Sequence, residues 1–296
     1  MICYTGTEVL PVPRDTVVSV GKFDGLHLGH QALLSLMKKE AEAEGLSTLV
    51  LRVGAAQDDQ KKLLTEQETR DRLSEYGIRE DVRLALTGAF REMTHEEFAY
   101  RFIPEMLRAK AVVTGTDFRF GKGACGDARY LMKAGEDCGY KVLLVPDCTD
   151  VSEKVSSTLI RDLLSEGDVA RANRCLGYPY TISGTVVHGR KLAGRLGYPT
   201  ANIVPPEEKV LPRFGVYETE FSFSGRTYRG LANIGVKPTV SEEDKVLLEV
   251  HLLNFSGDLY GRTAEVRFLR FIRPERKFSG TDELKSRMEL DIKCMS

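Results

Sequence analysis

The chain has 296 residues, 42% hydrophobic and 29% charged, with a formal net charge of −1. That length leaves room for about two domains, and that balance excludes a disordered chain. The near-neutral charge, without a basic excess in either half, argues against a nucleic-acid binder, and no apolar run is long enough to span a bilayer.

Thr16 to Val20 is a short β-branched run closed by Gly21. Residues 28–44 follow with helical spacing, placing Leu33, Leu36, Met37 and Ala41 on one face, with Gly45 as the stop. Ser47 to Val53 predicts the next strand. Residues 65–76 and 95–109 predict helices, and Ala111 to Thr114 and Lys141 to Val145 predict buried strands. Strands alternating with helices imply a parallel sheet with helices on its faces. The pattern changes near Gly177-Tyr178-Pro179. Tyr180 to Val187, Gly215 to Phe223, Arg226 to Ile234, Lys245 to Phe255 and Thr263 to Ile272 are short alternating runs, which predict a small antiparallel barrel. Leu284, Met288 and Ile292, four apart, predict a closing helix over 281–292. The expected domains are therefore 1–178 and 179–296. The N-terminus lacks the basic and apolar stretches of a signal peptide. The six cysteines form no Cys-x-x-Cys pair. Both features point to a reducing, cytoplasmic location.

Gly21-Lys22-Phe23-Asp24-Gly25-Leu26-His27-Leu28-Gly29-His30 spans the first strand–helix junction. Free N–H groups and the positive end of the helix dipole favour phosphate there. His27 and His30, three apart, become neighbours if the helix starts near Leu28. Three readings fit the pair. The imidazoles donate to a triphosphate as pyrophosphate leaves, ligate a metal for which the other histidines supply no evident third partner, or have no role. Downstream, Ser156-Ser157-Thr158-Leu159-Ile160-Arg161 offers hydroxyls that either cap a helix or complete a phosphate site, with Arg161 as a fork of donors.

Thr185 to Asn202 is punctuated by glycines, Gly189 and Gly197 among them, but lacks the Gly-Lys-Ser/Thr of a P-loop. Such a stretch either wraps phosphates through its N–H groups or is simply a turn. Pro199-Thr200-Ala201-Asn202 is more specific. Thr200 and Asn202 face one side of an extended segment and offer oxygens that, with ATP phosphates, complete a Mg²⁺ shell. Glu249 and His251 alternate likewise with Leu248, Val250 and Leu252. Glu249 is either a base for an attacking hydroxyl or a solvated carboxylate on a half-exposed strand.

On these residues the chain resembles the bacterial bifunctional riboflavin kinase/FAD synthetase family. Gly-x-Phe-Asp-Gly-x-His-x-Gly-His is that family's adenylyltransferase motif. Ser156-Ser157-Thr158 with Ile160-Arg161 matches its second motif, and Gly115-Thr116-Asp117-Phe118-Arg119-Phe120-Gly121 a third near the flavin pocket. Gly197-x-Pro199-Thr200-Ala201-Asn202, Phe214-Gly215-Val216-Tyr217, Asn233-Ile234-Gly235-x-x-Pro238-Thr239, Glu249-x-His251 and Leu259-Tyr260-Gly261 are riboflavin kinase landmarks in family order. The resemblance covers nearly the whole chain and is weakest over 52–94.

The resemblance implies an α/β Rossmann-like nucleotidyltransferase domain, then a small antiparallel β-barrel of riboflavin kinase type with a C-terminal helix. It implies ATP-dependent phosphorylation of riboflavin to FMN and adenylylation of FMN to FAD with release of pyrophosphate. His27 and His30 would bind ATP phosphates, with Ser156, Ser157, Thr158 and Arg161 completing the nucleotide site. Gly21, Phe23 and Gly29 would shape that site, Asp24 would lie beside the reacting phosphates, and Asp117 and Phe118 near the flavin. In the second domain, Gly189 and Gly197 would belong to the phosphate loop. Thr200 and Asn202 would sit at Mg²⁺ and ATP, Glu249 would be the base for the ribityl 5′-hydroxyl, and Asn233 would lie at the nucleotide or flap region. The implied cofactor is Mg²⁺, with ATP as co-substrate and riboflavin, FMN and FAD as substrates and products. The expected partners are small molecules, with no nucleic acid and no membrane; oligomeric state is not legible. One departure stands out. The family usually carries a Phe-x-Pro-His-Pro-like segment after its second strand, which helps shape the adenylylation site; Leu51-Arg52-Val53-Gly54-Ala55-Ala56 stands there instead. It motivates an alternative, a monofunctional riboflavin kinase with a weakened or inactive adenylyltransferase domain. Two milder departures are Gly194-Arg195, one residue closer to Pro-Thr than usual, and Asn254, where aspartate is common.

Overall fold

A computed structural model describes residues 1–5, 12–54, 60–187, 200–238, 244–276 and 278–295. They form two compact units, Met1–Ser156 and Ser157–Ser296. The first unit contains β1 (Ile2–Thr5), β2 (Thr16–Gly21), α1 (Leu28–Glu44), β3 (Ser47–Gly54), α2 (Glu66–Glu75), β4 (Glu80–Ala85), α3 (Gly88–Glu92) and α4 (His95–Glu97). After these come β5 (Ala109–Gly115), β6 (Arg119–Phe120), β7 (Gly126–Asp127), α5 (Ala128–Cys138), β8 (Lys141–Val145), β9 (Thr149–Asp150) and β10 (Glu153–Lys154).

Its six-stranded sheet runs β1-β4-β3-β2-β5-β8, every neighbouring pair parallel. Val17, Val18, Leu49, Val50, Leu51, Val112 and Val113 are buried, as a parallel sheet covered on both faces requires. The chain leaves β2 through α1 to β3 on one side, while β5 lies on the other. The β2/β5 crevice is therefore a topological switch point, where open α/β sheets receive ligands.

Several expectations shift. Helix α1 buries Leu34, Met37 and Ala41; Leu33 instead lines a cavity described below. Gly45 does stop it, in the left-handed region at φ 68°. The helix expected over 95–109 starts with a Thr94–Glu97 capping box and widens into a π-helix over Phe98–Met106 that contains Pro104. Arg108, at φ 48°, then turns the chain into β5. Strand β8, expected to be buried, is an edge strand among the described residues, paired with β5, and Leu144 is 38% exposed. Strands β1 and β4 lay outside the sequence reading.

The second unit contains α6 (Ser157–Glu166), α7 (Val169–Leu176), β11 (Tyr180–Val187), β12 (Thr200–Ile203), β13 (Gly215–Phe223), β14 (Arg226–Pro238), β15 (Asp244–Leu252), β16 (Thr263–Arg273) and α8 (Thr281–Lys293). Its strands close into an antiparallel barrel, β11-β12-β15-β14-β13-β16. Helix α7 belongs with the barrel: Asn173 Nδ2 donates to Phe268 O at 2.8 Å and its Oδ1 accepts Tyr180 N–H at 2.7 Å. Packing thus divides the chain ahead of α6, whereas the change in composition comes near 178. Ile182, Val186, Ala201, Ile203, Tyr217, Phe221, Ala232, Ile234, Leu248, Val250, Val266 and Phe268 fill the barrel interior. Alternation then puts Thr200, Asn202, Asn233, Glu249 and His251 on the outer face. Helix α8 buries Met288 and Asp291, and the Asp291 carboxylate is held by Arg273 at 2.8 Å and Arg287 at 2.9 Å.

Candidate active sites

A cavity of about 240 Å³ opens in the first unit at the carboxyl ends of β2, β5 and β8. Gly21, Phe23, His27, Gly29, His30, Asp117, Phe118 and Ser156, all expected at the first site, line it. The loop that feeds α1 is strained: Phe23 and Leu26 are both buried with φ of 51° and 36°. Non-glycine residues held there cost about 1–3 kcal/mol each and concentrate at functional sites. Two glycines make the close packing possible. A Cβ on Gly21 would meet the Phe23 ring at 3.3 Å, and one on Gly29 the His27 imidazole at 3.2 Å.

The His27 and His30 rings stack with centroids 3.8 Å apart, and Phe23 packs on His30 at 4.9 Å. Burial, then the nearby Lys154 cation, lowers His27 to about 4; burial, then His27, lowers His30 well below its usual value. Both imidazoles are therefore neutral at pH 7. Both Nδ1 atoms are buried without a hydrogen-bond partner among the described residues, which suits a polar ligand more than a packed core. No group of three or more His, Cys, Asp or Glu among the described residues is placed to hold a metal.

Sequence reasoning missed Lys154 and Asp147, which also line the cavity. Lys154 Nζ binds the Asp117 carboxylate and lies 2.9 Å from Asp147 Oδ1. Burial opposes its charge, but the two carboxylates raise its pKa. The Lys-x-Ser-Ser-Thr adjacency was the available signal. Asp24, expected beside the phosphates, is not among the cavity-lining residues; its Oδ1 accepts Leu63 N–H at 2.9 Å. Ser157, Thr158 and Arg161 lie on α6 in the second unit, where Arg161 Nη1 donates to Ser157 O at 3.2 Å.

On the barrel, Asn202 of β12 pairs with Glu249 of β15, and Glu249 pairs with Asn233 of β14. Thr200 pairs with His251. The expected kinase residues thus form one row across three neighbouring strands on the outer face. Asn202 is 4% exposed, and its Oδ1 has no hydrogen-bond partner among the described residues. A neutral oxygen of this kind, with the Thr200 hydroxyl one pleat away, fits a hard cation that also takes phosphate oxygens. Gly189, Gly194, Arg195 and Gly197 lie outside the described residues.

The FAD synthetase family model matches residues 10–159, and the riboflavin kinase family model matches residues 176–296. The bifunctional riboflavin kinase/FMN adenylyltransferases of Listeria monocytogenes and Escherichia coli K12 are each 36% identical over 283 residues, 93% of this chain and 90% of theirs. The chain belongs to this family. The Bacillus subtilis member is 33% identical over 286 residues. The crystal structure of a protein from Streptococcus pneumoniae, described as a macrolide-efflux protein, shares the fold with a TM-score of 0.88. It is 30% identical and covers 99% of this chain and 98% of its own. Among the described residues no helix is long and apolar enough to cross a membrane.

Family membership gives the departures a physical reading. Arg52, in the segment that lacks the usual Phe-x-Pro-His-Pro, is 8% exposed. It makes a two-pronged bond to Asp81 at 2.7 and 2.6 Å and another to Glu66 at 3.0 and 2.5 Å. The end of β3 therefore ties the start of α2 to β4. Asn254 sits in the left-handed region at φ 57°, which asparagine and aspartate both tolerate, so this substitution suits its turn.

Proposed function

We propose that this chain converts riboflavin to FMN at the barrel and FMN to FAD at the cavity of the first unit, both from ATP. At the cavity, an FMN phosphate oxygen forms a bond to the ATP α-phosphorus as the α–β P–O bond breaks, and pyrophosphate leaves. Neutral His27 and His30 donate N–H to phosphate oxygens, and Lys154, released from its carboxylates, adds a cation there. Such a site acts by positioning and by charge placed in advance. Roles for Ser157, Thr158 and Arg161 rest on the motif resemblance alone.

At the barrel, Glu249 accepts the proton of the ribityl 5′-hydroxyl, whose oxygen bonds to the γ-phosphorus while the bond to ADP breaks. Thr200 and Asn202 would hold Mg²⁺, which when bound neutralises phosphate charge. The functional modules would be 1–178 and 179–296, working in the cytoplasm on small molecules. The observation that supports two activities is that each family model matches its own half, and each half presents its own polar site: an orphaned imidazole pair in one, the Asn202–Glu249–Asn233 row in the other. This favours two reactions over a kinase alone.

Purified protein with Mg-ATP should make FMN and then FAD from riboflavin, and FAD from supplied FMN, as read by chromatography. FMN accumulating without FAD from either substrate would support the kinase-only alternative. Neither product would overturn the proposal.

A further inference from the structure

The segment that leaves β16 carries a carboxylate to the catalytic row. Asn233 Nδ2 donates to Glu275 Oε1 at 2.9 Å. Gly235, two residues along β14 and on the same outer face, leaves the space: an added Cβ there would fall on the Glu275 carboxylate. The segment is anchored on both sides of Glu275. Arg273 Nε donates to the buried Asp291 at 3.1 and 2.9 Å, and Arg276 pairs with Glu283 of α8.

A carboxylate accepts hydrogen bonds and donates none, so Asn233 must give it the NH₂ end. The Asn233 Oδ1 is then turned away from Glu275 as a fixed acceptor. Asn233 stands directly across the β14/β15 pair from Glu249, on the same face. Beside the base there is thus an acceptor that calls for a donor on the substrate. Without Glu275 the amide can flip and offer either end.

We infer that Glu275 is a positioning residue that makes the kinase site select a polyol. Through Asn233 it reads the ribityl hydroxyl next to the one that is phosphorylated. This rests on the kinase reading above.

The experiment compares riboflavin with 4′-deoxyriboflavin, which lacks that hydroxyl, in the full-length protein. The unaltered chain should prefer riboflavin about tenfold or more in kcat/KM, the scale of one hydrogen bond to a well-held partner. Glu275→Ala should bring the two substrates within about twofold, with the loss on riboflavin carried by KM and the KM for ATP unmoved. Gly235→Ala keeps Glu275 but pushes its carboxylate off Asn233, and should give the same result. Glu275→Gln, whose Oε1 still accepts, should restore part of the preference. Equal loss on both substrates in the two alanine variants would mean a merely structural role and overturn the inference, as would a preference that survives them. Absence of FMN from the unaltered protein would instead overturn the kinase reading on which the inference stands.

Discussion

Replacing Arg52 by alanine removes the guanidinium that satisfies two carboxylates at once. The Asp81 side chain is only 1% exposed, so its charge would stay in a site that water hardly reaches. Breaking a buried pair by deleting one partner costs about 3–5 kcal/mol. Glu66, with 35% of its side chain exposed, can turn to water and adds little. For a unit of this size 1 kcal/mol corresponds to about 2–4 °C, so the first unit should melt roughly 6–20 °C lower. Thermal inactivation of the full-length protein reads the two units separately, FMN to FAD for the first and riboflavin to FMN for the second. The fall should appear in the first activity and spare the second. Arg52→Met combined with Asp81→Leu should recover most of it, because a neutral pair of similar volume replaces the ions. A drop below about 2 °C, or an equal drop in both activities, would refute this account of the cluster. The Arg52–Glu66 pair carries a pH signature of its own. The Arg52 hydrogen bond holds Glu66 below 4.5 despite partial burial. Its contribution is therefore complete above pH 4.5 and disappears as pH falls through the lowered folded value. Arg52→Ala should flatten that acid limb, read from urea midpoints between pH 3 and 6.

His30→Ala should lower FAD formation from FMN by about 10²–10³-fold while riboflavin to FMN continues; Glu249→Ala should do the reverse, with a loss of about 10²–10⁴. One substitution stopping both steps, with FMN supplied, would contradict the two-site assignment. The histidine pair gives a second pH dependence. Unfolded imidazoles bind protons near 6.5, whereas burial lowers His27 to about 4 and pushes His30 well below its usual value. The first unit should therefore keep this stability above pH 6.5 and lose it as pH falls toward 4; His27→Gln should reduce the slope between urea midpoints at pH 5 and 7. Asn202→Ala should raise the Mg²⁺ needed for half-maximal riboflavin phosphorylation and leave the Mg²⁺ dependence of FAD formation from FMN unmoved. An unaltered kinase requirement would remove Asn202 from the metal site.

Much of the architecture follows from local patterns. The β-branched run before Gly21, the helical spacing after it and the two-residue alternation beyond Tyr180 all produce the elements they imply. The same alternation puts Thr200 with Asn202, and Glu249 with His251, on one side of each strand before any strand pairing is known. Strand β4 was illegible because half of its six residues, Glu80, Asp81 and Arg83, are charged. Two of them are nonetheless buried, Asp81 against Arg52 and Glu80 with Ser47 donating at 2.9 Å. Hydropathy cannot anticipate a charge buried with a partner 29 residues away.

By itself the sequence determined the change from alternating strands and helices to short alternating strands, the candidate site residues and the side of the strand on which they lie, because those depend on residue type and short-range periodicity. Only the tertiary structure decided which groups meet. Neutral stacked histidines, Lys154 between two aspartates, the Arg52 ion cluster and Glu275 over Gly235 all need segments distant in the chain to close on one another. Their charge states and orientations come from burial and partners, which no local pattern encodes.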